Sequence, residues 1–218
     1  MPIIDCISDL HGFFPKLEGG DLLIVAGDLT ARDDPKEHFK FCKWLHQQNY
    51  RRYIIVAGNH DNSIQQKDSL VPYLADTNYL EDSGAEFEGL KIWGSPWTRK
   101  FKGQNPKAMA FSLDTEEELS QKWAMIPEDT DILITHSPAY GIKDQVNRKK
   151  PKTGYDCVGS KSLQMELYVR LSPKLHVFGH IHESYGIDHP SGDGRIRLNA
   201  SYVNEHYQPV NKPIRIEL

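Results

Sequence analysis

The stretch DLLIVAGD, residues 21–28, sets an unbroken apolar run between two aspartates and closes on glycine. A strand with one wet face alternates apolar and polar residues, whereas a continuous Leu/Ile/Val run belongs to a strand covered on both faces. The same pattern returns in IIDCISD (3–9), RYIIVAGN (52–59), DILITHS (131–137) and KLHVFGH (174–180). Together they predict a sheet sandwiched between layers. In such sheets ligands bind beyond the C-terminal ends of the strands, so function is expected there.

Helical segments fall between these runs. Pro35 to Asn49 carries Phe41, Cys42, Trp44 and Leu45 on or near one side, with lysines and glutamines elsewhere. Thr115 followed by three glutamates reads as an N-cap with an acidic first turn, opening a helix that runs through Leu119 and Trp123 to Pro127. Ser160 to Leu171 forms a third, ended by Ser-Pro. Alternation of strands and helices defines a layered α/β protein. After residue 183 the short alternating runs SYGIDH, RIRLNASYV and IRIEL, divided by PSGDG and by Pro209 and Pro213, predict hairpin strands of a second, antiparallel sheet. Residues 95–108 and 140–159 are irregular and long enough to be functional loops.

With 218 residues, one domain spanning 1–218 suffices to bury a core. A net charge of −4 argues against a genomic nucleic-acid partner. No apolar stretch reaches the about 20 residues of a membrane span, and the opening MPIIDCISDLHG lacks the basic region of a secretory signal. The closing Arg-Ile-Glu-Leu carries no lipidation motif. Cys6, Cys42 and Cys157 are odd in number and unpaired in spacing, as expected of reduced thiols in a cytoplasm. They read as packing residues.

Potential metal ligands collect at the strand ends: Asp9 and His11 in SDLHG, Asp28 in AGDLT, Asn59, His60 and Asp61 in AGNHD, His136 in THSP, and His180 and His182 in GHIH. Carboxylates, imidazoles and an amide carbonyl suit borderline divalent ions such as Mn, Fe, Zn or Co. Asp28 has two oxygens with which to bridge a pair of them. Paired ions about 3.5–4 Å apart activate a water and clamp both oxygens of a displacement at phosphorus. Gly27, Gly58 and Gly179, each immediately before a ligand, would allow close backbone approach.

In their order, DLH, GD, GNHD, THSP and GHIH resemble the calcineurin-like metallophosphoesterase superfamily. Within it, HVFGHIHESYG and LNASYVNEHYQPVNKPI are similar to the branch of metallophosphoesterase-domain proteins that act on phosphodiesters. The resemblance implies the metallo-dependent phosphatase fold, a four-layer α/β/β/α sandwich of two mixed sheets flanked by helices. It implies that Asp9, His11, Asp28 and His182 hold one ion, and Asp28, Asn59, His136 and His180 the other. The ions would be Mn²⁺, with Fe, Zn, Co or Ni as alternatives. A bridging hydroxide would attack a small or nucleotide-like phosphodiester, His60 would serve as outer acid, and Asp61 would orient His60. The alternatives on this fold are a phosphomonoesterase and a non-catalytic scaffold.

The match has departures. GDLTARDD lacks the Gly-Asp-x-x-Asp extension of some branches, and the Gly-Asn-His-Glu block of protein phosphatases is absent, which disfavours a phosphoprotein substrate. His176 reads as a hydrogen-bonded core histidine, His38 and His46 as solvent-facing on their helix, and His189 and His206 as loop residues. The basic clusters Arg99, Lys100, Lys102 and Arg148, Lys149, Lys150, Lys152 are either solvated loop charges or a means of attracting an anionic substrate. Trp97 and Phe101 either stack a base or pack.

Overall fold

Leu22, Ile24 and Ala26 point to one side of their strand, while Leu23 and Val25 point to the other, and all are fully buried. That double burial is the reason the apolar run does not alternate. In the computed structural model, residues 1–66, 78–101, 103–147, 156–188 and 194–218 are described. In chain order the strands are β1 (Ile3–Ile7), β2 (Gly20–Ala26), β3 (Tyr50–Val56), β4 (Asn78–Tyr79), β5 (Ser83–Phe87), β6 (Leu90–Ser95), β7 (Thr98–Arg99) and β8 (Ser112–Leu113). They continue as β9 (Ile132–Thr135), β10 (Gln145–Val146), β11 (Asp156–Cys157), β12 (Leu175–Phe178), β13 (Gly186–Asp188), β14 (Ile196–Asn199) and β15 (Ile214–Glu217). The helices are α1 (Pro35–His46), α2 (Asn62–Gln65), α3 (Glu116–Trp123) and α4 (Lys161–Val169).

Two sheets face each other. The first runs β15-β1-β2-β3-β4 and the second β13-β14-β12-β9-β6-β5. Both have parallel interiors: β1, β2, β3 and β4 are parallel with the edge strand β15 reversed, and β6, β9, β12 and β14 are parallel with both edge strands, β5 and β13, reversed. Between them Ile4, Leu22, Ile24 and Ile54 meet Ile132, Ile134, Val177 and Leu198 in one apolar core. Outside the first sheet, Leu23, Val25 and Ile55 pack on Phe41, Trp44 and Leu45 of α1. Outside the second, Leu133 and Phe178 pack on Leu119 and Trp123 of α3 and Leu163 of α4. The layers are therefore α/β/β/α, as the resemblance implied.

The helix starts follow their caps. Asp34 accepts from the backbone N–H of Lys36 and Glu37 ahead of Pro35, and Thr115 forms a reciprocal capping box with Glu118. Ser160 accepts from the N–H of Leu163. Helix α1 stops at His46, short of the expected Asn49, because the chain turns into β3 at Tyr50.

The C-terminal expectation is corrected. The last strands form no separate antiparallel sheet: β14 lies parallel to β12 inside the second sheet, β13 flanks it, and β15 crosses to pair with β1. Alternating polarity shows that one face is wet, and that holds for an edge strand whichever sheet it joins. The hairpin β5–β6, absent from the apolar-run pattern, turns at Glu88 and Gly89, with φ of 48° and 78°. His38 is buried and bonded to Asp33 at 2.7 Å rather than solvent-facing, whereas His46 is exposed and His206 sits in a turn, both as expected. His189 lies outside the described residues.

All three cysteines are free. Burial raises the Cys6 and Cys42 thiols, and burial with the Asp144 carboxylate raises that of Cys157, which fits packing roles. Among the described residues no helix is long and apolar enough to cross a membrane.

Candidate metal centre

The parallel strands of both sheets deliver their C-terminal ends to one edge, and the seven expected ligands meet there. Asp9 and His11 follow β1, Asp28 follows β2, Asn59 follows β3, His136 follows β9, and His180 and His182 follow β12. Four of these, Asp9, His11, Asp28 and His180, have left-handed φ angles of 50°, 43°, 53° and 68°. Such backbone costs about 1–3 kcal/mol per residue and concentrates where function requires it. Space is equally tight: a Cβ on Gly58 would lie 2.2 Å from Asp28 Oδ1, and one on Gly179 2.1 Å from Asp9 Oδ2. Side chains at either position would displace a carboxylate.

One ligand atom each from Asp9, His11, Asp28 and His182 falls within a span of 4.8 Å. His182 Nε2 lies 3.2 Å from Asp9 Oδ1, and His11 Nε2 3.6 Å from Asp28 Oδ2. On the other side of Asp28, His136 Nε2 lies 3.3 Å from Asp28 Oδ1 and 3.1 Å from Asn59 Oδ1. The His180 ring is centred 5.0 Å from that of His136, and its backbone N–H donates to the Asp9 carboxylate. Asp28 thus stands between the two groups.

Outer contacts fix how these donors point. His136 Nδ1 lies 2.9 Å from the Ala26 carbonyl and His182 Nδ1 3.2 Å from the Asn204 carbonyl. A carbonyl only accepts, so both rings carry their proton on Nδ1 and turn an Nε2 lone pair inward. Asn59 Nδ2 donates to the Ala108 carbonyl, which turns Oδ1 inward too. Lone pairs facing carboxylate oxygens need a cation between them: a proton on Nε2 or a metal ion. The donor set therefore fits divalent metal.

The electrostatics show the same demand. Burial would raise Asp9 and Asp28, but His182 and His136 at Asp9, and His136 and His60 at Asp28, outweigh it and hold both below the carboxylate range. Burial would lower His136, yet Asp28 and Asp9 lift it to about 9. Burial prevails at His11, pushed down to about 4, and, with His136 adding to it, at His180, pushed down to about 3.

His60 stands at the mouth, its Nε2 4.0 Å from Asp28 Oδ2 and its ring 4.6 Å from that of His11. Asp61 sits behind the centre, and the orientation expected of it is not what its contacts do. Its carboxylate accepts the backbone N–H of Gly58 at 2.7 Å and of Leu29 at 3.1 Å, so it ties the β2 and β3 loops rather than gripping the His60 ring. A short polar residue one position beyond His60 is drawn to free N–H groups of the adjoining turns.

Other residues escaped the sequence reading. Ser201 Oγ donates to Asp9 Oδ2 at 2.8 Å, and Asn199 holds Ser201 and the Ile181 carbonyl. Tyr207 lays its ring against those of His11, His182 and His60. Asn199 ends β14 and Ser201 and Tyr207 follow it, so the rule that polar residues at the end of an apolar strand form the site applies here too, with RIRLNAS as an interior strand.

A groove of about 930 Å³ adjoins the centre, lined among others by His60, His182, Arg99, Phe101, Tyr140 and Lys161. Phe101 is exposed there. Trp97 is a packing residue, its Nε1 bonded to Asp82 and its ring covered by Lys122. His176 is the core histidine expected, bonded to Thr135 Oγ1. Lys102 and the Arg148–Lys152 cluster lie outside the described residues.

The sequence profile of the calcineurin-like phosphoesterases matches residues 3–184. The chain belongs to that family. Calcineurin-like phosphoesterases are metal-dependent phosphoester hydrolases, and the enzyme class of this chain follows from its membership. Human metallophosphoesterase domain-containing protein 1 is 37% identical, the match covering 98% of this chain and 70% of the relative. A UPF0046 protein of Caenorhabditis elegans is 31% identical over 98% of this chain and 59% of its own length. A putative 5'-nucleotidase of Staphylococcus aureus aligns with a TM-score of 0.54 at 11% identity, over 98% of this chain and 53% of that one. A second crystal structure reaches 0.65 at 13% identity, over 91% and 90%. At such identities the solved structures share the fold of this phosphoesterase.

Proposed function

We propose that the chain hydrolyses small or nucleotide-like phosphodiesters at a centre of two divalent ions, Mn²⁺ first, with Fe, Zn, Co or Ni as alternatives. Asp9, His11, Asp28 and His182 would hold one ion, and Asp28, Asn59, His136 and His180 the other. Ions held there would acidify a water and neutralise charge on the phosphoryl oxygens. The protein's own part is positional. The Ala26 and Asn204 carbonyls accept from Nδ1 of His136 and His182 and so aim Nε2 of each ring inward. His60 Nε2, at the groove side of Asp28, is placed to give a proton to the departing oxygen. Asp61 holds the loops that carry Asp28 and Asn59. Residues 1–218 act as one domain, with β15 returning to β1, and the free thiols suit a reducing cytoplasm.

The observation that carries the diester reading is the charge at the groove's rim. Of the three described lysines and arginines that line the groove, Arg99 faces Glu116 at 3.8 Å and Lys100 pairs with Asp114 at 3.1 Å, while Lys161 holds its ammonium 5.3 Å from the centre of the Tyr140 ring. A diester brings one negative charge and a monoester close to two at neutral pH, and a rim with two of its three described lysines and arginines facing carboxylates suits the smaller charge. The groove's volume also leaves room for substituents on both ester oxygens. Comparing bis(p-nitrophenyl) phosphate with p-nitrophenyl phosphate in Mn²⁺ tests this. The diester is expected to have the higher kcat/KM, with turnover lost on chelation; preference for the monoester overturns it.

A further inference from the structure

His136 and His182 owe their orientation to a carbonyl at Nδ1, but His11 has no such anchor. Its Nδ1 is buried with no hydrogen-bond partner among the described residues, and its left-handed backbone, φ 43°, does not hold the ring by itself. Ring contacts hold it instead. His60 lies 4.6 Å away, His182 5.1 Å and Tyr207 4.8 Å between centroids, all edge-to-face. Of these neighbours only Tyr207 is outside the expected ligand and acid set, and it also touches His182 at 5.3 Å.

The loop that presents Tyr207 is built for the purpose. Asn204 Oδ1 accepts the N–H of His206 at 3.0 Å and of Gln208 at 2.9 Å, and the Asn204 carbonyl accepts the N–H of Tyr207 at 2.8 Å. This turn places Tyr207 at φ 56°, an unusual backbone for a bulky residue. The same Asn204 carbonyl receives Nδ1 of His182. One short turn, beyond the 3–184 span of the family match, thus braces both imidazoles of the Asp9-His11-Asp28-His182 cluster.

We infer that Tyr207 is a positioning residue for metal binding, its ring standing in for the missing Nδ1 anchor of His11 and setting the affinity of that one ion. The inference rests on the ligand assignment above. Metal-stripped protein titrated with Co²⁺, followed by visible absorption and calorimetry, tests it in wild type, Tyr207→Ala, Tyr207→Phe and Asp28→Ala. Loss of an outer-shell contact weakens metal binding by about 10–100-fold. Tyr207→Ala should therefore weaken one of the two Co²⁺ ions by about 10-fold or more and shift its absorption bands, leaving the other ion unchanged, while Tyr207→Phe titrates like wild type. Equal weakening of both ions, an unchanged titration of Tyr207→Ala, or a Phe variant as weak as Ala would each overturn the inference. Co²⁺ binding by Asp28→Ala equal to wild type would instead overturn the ligand assignment itself.

Discussion

The Nε2 atoms of His11 and His182 lie 3.3 Å apart, each also facing a carboxylate, Asp28 and Asp9 respectively. Two imidazoles and two buried carboxylates converging so closely are held together better by a cation than by one another. Metal should therefore stabilise the fold. At Mn²⁺ near 100 times its Kd the gain is about 2.7 kcal/mol, or about 5–10 °C in Tm for a chain of this size. Thermal melts with Mn²⁺ and with chelator measure it, and identical curves would contradict the centre.

Asp28 and His60 occupy different positions toward that cation. Asp28 lies between both ligand groups, whereas the nearest approach of His60 Nε2 to Asp28 is 4.0 Å, from the groove side. Asp28→Ala should lose metal and activity together. His60→Ala should keep its metal content and lose about 10²–10⁴-fold in kcat, the usual contribution of a positioned acid. Elemental analysis beside steady-state kinetics separates the two, and equal metal loss in both variants would refute the division.

Much of this centre is legible in the sequence because its ligands follow strands whose apolar runs are unmistakable, such as DLLIVAGD before Asp28. What is not legible is set by contacts across the chain. Ser201 reaches Asp9 over 192 positions, and Asp61 turns to Gly58 and Leu29 because their N–H groups lie within reach after folding. The edge strands hide for a related reason. Residues 214–217 bury every second side chain, a pattern that states a wet face and not a partner.

Without metal, the stability should peak near pH 6.5. The folded pKa of His136 is raised to about 9, so its contribution is complete below the unfolded value near 6.5 and is lost as pH rises through 9. His182, also raised, adds to that alkaline loss. Burial depresses His11 to about 4 and His176 and His180 to about 3, so the unfolded chain takes up their protons first and stability falls as pH drops below 6.5. Asp61, lifted to about 7 by burial and Asp28, opposes this acid limb with one proton against the three of those histidines. Urea melts in chelator from pH 5 to 9.5 should show the maximum, with the alkaline fall suppressed when Mn²⁺ replaces the proton on His136. A stability that rises steadily to pH 9.5 in chelator would rule this out.

Gly179 adjoins Asp9 so closely that a methyl group there would sit 2.1 Å from both Asp9 Oδ2 and Ser8 Oγ. Neither neighbour can retreat, since Asp9 is held by the His180 N–H and Ser201, and Ser8 by the Ala26 carbonyl. Gly179→Ala should cost about 1–3 kcal/mol, as overpacking of a filled interior does, and should displace a ligand of the first ion. Denaturant melts and a metal titration read both effects, and a variant like wild type in each would show the site to be more yielding than its contacts state.

Asp61 offers the sharpest separation between gripping a catalytic ring and holding the frame. Its carboxylate takes the N–H groups of Gly58 and Leu29, which flank Asn59 and Asp28 in sequence. Removing it in Asp61→Ala leaves both donors buried without an acceptor, at about 1–3 kcal/mol for each. The loops bearing Asp28 and Asn59 then lose their tie, so stability and metal affinity should fall together. Asp61→Asn keeps one oxygen as acceptor and should fall between Ala and wild type. A residue that only oriented His60 would behave otherwise: kcat would drop to the level of His60→Ala while melting and metal binding stayed at wild-type values. Measuring the three quantities on both variants distinguishes the roles, and that second pattern would return Asp61 to the role expected from sequence.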